Sequence, residues 1–210
     1  FGVNTSLEEA ALYEKPFEYV QRLVKPIRQK DRDAATRDNW WLFQRPRPEM
    51  RTALIELDRF IVTPAVSKHR FFTWLEHPTV PDQQLVVIAT NDDYMLAVLE
   101  SNLHELWARA NASQLRDALS GTRYTLTTTF ETFPFPWPPG HEPVDDPRVE
   151  AIAQAARELV EKRDAWLNPP DATEADLKKR TLTNLYNQRP TWLDLAHKKL
   201  DAAVFDAYGW

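Results

Sequence analysis

The sequence predicts an α+β chain: a central mixed α/β region of short β-strands, flanked by an N-terminal helical linker and a C-terminal helical region. Three observations predict it. From Asp58 onward, short β-branched and aromatic runs are separated by Pro64, Pro78 and Pro81, the texture of brief strands. Both ends of the chain instead repeat apolar residues at helical spacing. The stretch TLTTTFETFPFPWPPG (125–140) turns from a threonine run into prolines 134, 136, 138 and 139, which forbid a regular ladder beyond about Phe133.

Bulk properties narrow the possibilities. At 210 residues, 43% hydrophobic and with eight tryptophans, the chain can bury a real core. It has no cysteine, which excludes disulfides and thiolate metal sites and fits a reducing, cytoplasmic setting. No apolar run approaches the roughly 20 residues that cross a bilayer, and no signal peptide is visible, so no membrane partner is expected. The chain opens on Phe1-Gly2 without Met, in mid-pattern, which predicts a piece of something longer. The net charge of −5 is unevenly spread. Residues 15–70 carry thirteen Lys/Arg against seven Asp/Glu, whereas 76–140 carry three against eight. A phosphate-facing surface needs local positive charge, not a basic total, and an ordinary solvated surface can show the same asymmetry.

Taken in order, Thr5 and Ser6 before Glu8 and Glu9 predict a helix cap, with the helix ending near Glu14 ahead of Pro16. A second helix should carry Phe17, Val20, Leu23 and Val24 on one face before Pro26. IRQKDRDAATRDN reads as a charged connector, and Arg45–Pro48 as extended chain. RFIVTP, RFFTWLE and QLVVIAT are the strands. NDDYMLAVLESNLHELWARAN predicts one helix capped by Asn91 or Asp92, with Leu96, Leu99, Leu103 and Leu106 or Trp107 as its stripe. GTRYTLTTTF should return to extended structure. Helices over about 147–166, 174–186 and 191–208 follow, with turns at Asn168-Pro169-Pro170 and Arg189-Pro190.

Catalytic candidates are few. NPPD (168–171) looks like the Asn-Pro-Pro-aromatic signature of amino-methyltransferases, but Asp171 stands where the aromatic would stack on a flipped base. It reads instead as a helix-ending turn. The only glycines are Gly2, Gly121, Gly140 and Gly209, too few for a cofactor loop. His69, His77, His104, His141 and His197 lack the spacing of a zinc motif, so no metal site is expected. The basic clusters say more. RPRPEMR places Arg45, Arg47 and Arg51 near Trp40 and Trp41. SKHR places Ser67, Lys68, His69 and Arg70 between two β-type runs, where a loop could project them into a DNA groove. Arg and Lys read guanine edges, while Ser and His contact phosphates or bases. The bland alternative is charge on a sheet edge. Trp40, Trp41, Phe133, Phe135 and Trp137 could stack on bases, but core and packing roles suit them better.

Six long phrases carry a resemblance: NTSLEEAALYEKPFEYV, NWWLFQRPRPEMRTAL, RFIVTPAVSKHRFFTWL, HELW, GTRYTLTTTFETFPFPWPP and LKKRTLTNLYNQRPTWLDLAHKKLDAAVFDAYGW. Together they resemble the C-terminal part of MmeI-like adenine-specific DNA methyltransferases, restriction–modification or defence enzymes. The resemblance implies a helical linker over 1–50, a target recognition domain over 51–139 and a helical C-terminal domain over 140–210. It implies double-stranded DNA and the methyltransferase domain of the same chain as partners. Catalysis and S-adenosylmethionine would then belong to the parent enzyme, with no catalytic residue or cofactor in this piece. By the same resemblance Arg123 matches a base-reading arginine before the threonine run, with Leu119, Ser120 and Gly121 at neighbouring variable positions. Leu119 and Gly121 lack the charged groups some relatives carry. Ser101 and Asn102, near the preceding helix, are further candidates. The expected function is sequence-specific DNA recognition for an adenine-N6 methyltransferase. The alternative is a structural or protein-interaction module of the same enzyme without base reading.

Overall fold

The computed structural model describes residues 1–2, 4–114 and 121–210. They form two compact units, 1–55 and 56–210.

The first unit is a set of short helices: α1 (Leu7–Ala11), α2 (Glu14–Leu23), α3 (Lys25–Arg28), α4 (Ala34–Asp38) and α5 (Pro48–Leu54). Ser6 caps α1 as its sequence predicts, accepting from the Glu9 amide at 3.0 Å. Pro16 does not end a helix: it sits in the first turn of α2, where a missing N–H costs nothing. Pro26 opens α3 in the same way. The charged connector is also partly helical, because the Asp33 carboxylate caps α4 by accepting from the Ala35 and Thr36 amides. Buried Trp40 is the centre of the unit, with the Phe17 ring at 5.5 Å and Lys25 over its face at 4.7 Å. Arg28 binds the Trp40 carbonyl at 2.8 Å, and Trp41 Nε1 donates to the Thr5 carbonyl at 2.9 Å. Trp40 and Trp41 are thus packing residues.

The second unit begins with strands β1 (Arg59–Pro64), β2 (Val66–Ser67), β3 (Thr73–Glu76) and β4 (Leu85–Ile88). β1 is the centre of an antiparallel sheet ordered β3-β1-β4, with Ile61 opposite both Trp74 and Ile88. The predicted single helix over 91–111 is two, α6 (Asp93–Glu100) and α7 (Asn102–Asn111). Asp92 caps the first, accepting from the Tyr94 amide at 2.9 Å. Ser101 makes the break: it is extended at ψ 149° and its hydroxyl accepts from the His104 amide while donating to the Val98 carbonyl at 2.6 Å. α6 is buried along nearly its whole length, covered by α8 (Pro147–Leu167), which in turn packs against α11 (Thr191–Tyr208). Ile61, Phe72, Leu96, Leu99, Ile152, Leu159, Leu193 and Leu200 share that core.

The remaining strands, β5 (Ser113–Gln114) and β6 (Thr122–Arg123), join β2 in a second small antiparallel sheet ordered β2-β6-β5. The predicted extended run stops there. Leu126–Phe130 form a π-helical turn, because Thr129 Oγ1 donates back to the Thr125 carbonyl at 2.6 Å and offers the backbone a bond that competes with a ladder. The proline exit is packed rather than loose. Phe133 is buried, with its ring edge-to-face on His104 (4.8 Å) and Phe135 (4.9 Å), and Tyr208 of α11 donates to the Pro134 carbonyl at 2.6 Å. Phe135 and Trp137 are half-buried against the same core. Asn168 is the residue after α8, so NPPD falls in a turn between helices. The predicted helix over 174–186 is interrupted, giving α9 (Glu174–Leu177) and α10 (Leu182–Gln188) with separate threonine caps at Thr173 and Thr181.

Candidate nucleic-acid interface

The small sheet brings together residues that are far apart in the chain. Val66 pairs with Arg123 and Ser67 with Thr122, so Arg123 on the central strand lies beside the start of the Ser67–Arg70 turn. Gly121 enforces this proximity. It has φ +84°, and a Cβ there would stand 2.1 Å from the Ser67 carbonyl oxygen, so no side chain fits. Arg123 is exposed. Its position on a strand between two partners fixes its Cα and leaves the guanidinium at the surface, where it can form the paired hydrogen bonds that suit a guanine edge.

Within the turn the four side chains take different roles. Ser67 Oγ donates to the His69 carbonyl at 2.6 Å, shaping the turn. Lys68 is exposed and His69 half-buried, and both reach Oδ1 of Asn187 in α10 at 2.8 Å. Arg70 points the other way. Its guanidinium donates to Thr63 Oγ1 (2.8 Å), the Pro64 carbonyl (2.5 Å) and the Thr122 carbonyl (3.1 Å), and lies over the Tyr124 ring at 5.0 Å. Burial lowers its pKa to about 10, which still leaves it charged at neutral pH. Arg70 therefore ties β1 to β6 and holds the strand that carries Arg123.

The other candidates are dispersed. Ser101 is fully buried as the α7 cap. Asn102 is exposed, and its amide donates to Asp201 Oδ1 of α11 at 2.7 Å. Arg45 and Arg47 are exposed but belong to the first unit, Arg47 standing in the left-handed region (φ 52°) just before Pro48 opens α5. Leu119 and Ser120 lie outside the described residues.

Asn187 is the residue sequence reasoning missed. It sits 118 positions from His69, and nothing in its local pattern signals a partner so distant. Beneath it, Tyr186 stacks on Phe71 with rings 5.6 Å apart.

Two buried polar centres support this surface. His104 donates from Nδ1 to the Leu99 carbonyl at 2.9 Å and accepts at Nε2 from the Tyr124 hydroxyl at 3.0 Å, and burial lowers its pKa to about 4. Arg163 pairs with Glu100 at 2.5 Å, donates to the Phe72 carbonyl at 2.9 Å and reaches the Tyr186 hydroxyl at 3.2 Å. The Phe72 amide completes the centre by donating to Glu100 at 2.8 Å.

The site is a small sheet and turn with the basic side chains of Lys68 and Arg123 at the surface, braced from below. Among the described residues, no group of three or more His, Cys, Asp or Glu could hold a metal, and no helix is long and apolar enough to cross a membrane. Residues 7–137 match the family described as MmeI, target recognition domain, more than half of the chain, and the chain belongs to that family. It is also similar to a protein named DNA methyltransferase A from Bacillus subtilis (strain 168), at 29% identity over 154 residues. That match covers 70% of this chain and 15% of the relative, so the chain corresponds to a small part of that protein's length.

Proposed function

We propose that this chain selects the DNA sequence on which an adenine-N6 methyltransferase acts, and that it does no methyl transfer by itself. The observation that carries this reading is the pairing of β2 with β6, which sets the exposed Arg123 beside the turn that carries Lys68, in a chain that belongs to a target recognition family. Lys68 contacts a phosphate and sets register, while Arg123 donates two hydrogen bonds to O6 and N7 of a guanine in the major groove. Arg70 and Gly121 keep the two strands aligned. A methyltransferase region elsewhere in the parent enzyme acts on the flipped adenine. S-adenosylmethionine is held there. The relative named as a DNA methyltransferase supports the assignment, and the reading places the protein in the cytoplasm with its DNA.

The test is binding of the full chain to randomised duplex DNA across a salt series. Arg123→Ala should relax preference at one guanine position, at a cost of about 1–3 kcal/mol. Lys68→Ala should weaken binding to every sequence and lower the salt slope by about one. If neither change moves the affinity or the slope, the chain is an interaction module and reading lies elsewhere.

A further inference from the structure

The matched family region ends at residue 137, yet the turn that presents Lys68 and His69 is completed by α10, far beyond it. Asn187 Oδ1 lies 2.8 Å from both Lys68 Nζ and His69 Nε2. An ammonium group only donates, so the amide atom it meets is the oxygen, and His69 must carry a proton on Nε2 to share it. Both lone pairs of that oxygen are then occupied. Lys68 keeps two N–H donors for an incoming acceptor.

Asn187 is exposed, but its backbone is not free to drift. Its neighbour Tyr186 is buried, with its hydroxyl 3.0 Å from His197 Nε2. On the other side Arg189 ends the helix in the left-handed region (φ 41°), its amide bonded to the Leu185 carbonyl at 2.8 Å. A surface amide held this firmly can order a long, flexible lysine before any ligand arrives, which lowers the cost of binding.

We infer that Asn187 is a positioning residue for DNA reading, and that the DNA-facing surface continues from the matched region onto α10. This rests on the proposed function: Asn187 acts through Lys68 and His69, and has no reading role without them. Being at the surface, Asn187→Ala should leave thermal melting unchanged. In the full chain it should weaken binding to the preferred duplex about fivefold, the scale of one charged side chain losing its order on association. As with Lys68→Ala, the loss should be similar for every sequence in a randomised duplex and should come with a lower salt slope. In a background carrying the double change Lys68→Ala/His69→Ala, Asn187→Ala should have no further effect.

An undiminished effect in the double-changed background overturns the inference, because Asn187 would then act alone. So does a Lys68→Ala effect with no Asn187→Ala effect in the otherwise unchanged chain. If Lys68→Ala and Arg123→Ala both leave DNA binding untouched, the proposed function itself fails, a result distinct from either of these.

Discussion

Two tyrosine–histidine pairs stand under the candidate interface, and they are built on opposite principles. In each, a tyrosine hydroxyl lies 3.0 Å from a histidine Nε2, and in each the tyrosine neighbours a surface residue of interest: Tyr124 follows Arg123, and Tyr186 precedes Asn187. The Tyr124–His104 pair is neutral and closed. One side of the imidazole is spent on the Leu99 carbonyl, the other on the tyrosine, and Phe72 and Phe133 pack edge-on to the ring. The Tyr186–His197 pair is open to charge, since the same hydroxyl accepts from Arg163 and lies 3.4 Å from Glu100. Phe72 joins them, with its ring against the first pair and its backbone amide and carbonyl in the second. Surface positions on β6 and on α10 thus rest on one internal polar frame.

The largest effect comes from breaking the charged side. Glu100→Gln keeps the shape but leaves Arg163 as a buried cation without a counter-ion, and should cost about 3–5 kcal/mol in denaturant unfolding. Replacing both, as in Glu100→Leu/Arg163→Met, should cost less than either single change, because no lone charge is left behind. A double change that simply sums the singles would show that the pair is not a coupled unit.

The neutral side should reveal itself through pH. The folded-state pKa of His104 lies at about 4, below the ordinary 6.5, because burial penalises the imidazolium. As pH falls, the unfolded chain takes up this proton first. The stabilisation from a neutral His104 is therefore complete above about pH 6.5 and is lost progressively down to about pH 4, by on the order of 3 kcal/mol. His197 is shifted in the same direction by burial, with Glu100 opposing the shift. Unfolding titrations should show His104→Leu removing more of the slope between pH 6.5 and 4 than His197→Leu.

How much of this was legible in the sequence depends on how local its cause is. The cores of the three longer strands, the caps at Ser6 and Asp92, and the whole of α11 follow from periodicity and capping chemistry acting within a few residues. The helix break at Ser101 and the π-helical turn after Thr125 were missed, because a hydroxyl's choice between solvent and a nearby carbonyl is decided by burial. Of the candidate site, the surface setting of Lys68 and Arg123 matches their composition. The inward turn of Arg70 could not be read, since it depends on how the chain folds back to bring Thr63, the Pro64 carbonyl and the Thr122 carbonyl, 52 positions away, around one guanidinium. Asn187 and the Glu100–Arg163 pair escaped for the same reason: partners 63 to 119 positions apart leave no pattern in a single chain.

The finest distinction between the two pairs is the value of a single hydroxyl. Tyr124→Phe leaves His104 Nε2 without a donor at a site with no exposed surface, so water cannot substitute, and the cost should be about 1–3 kcal/mol. Tyr186→Phe removes a hydroxyl with more neighbours, yet it should cost less. Arg163 retains Glu100 and the Phe72 carbonyl, and His197, 8% exposed, lines a cleft of about 400 Å³ from which water can take the vacated place. The order Tyr124→Phe above Tyr186→Phe in equilibrium unfolding is therefore the check. The reverse order would mean that the Tyr186 hydroxyl is needed to hold the Arg163 charge, making the ionic centre, not the neutral pair, the less forgiving support of the interface.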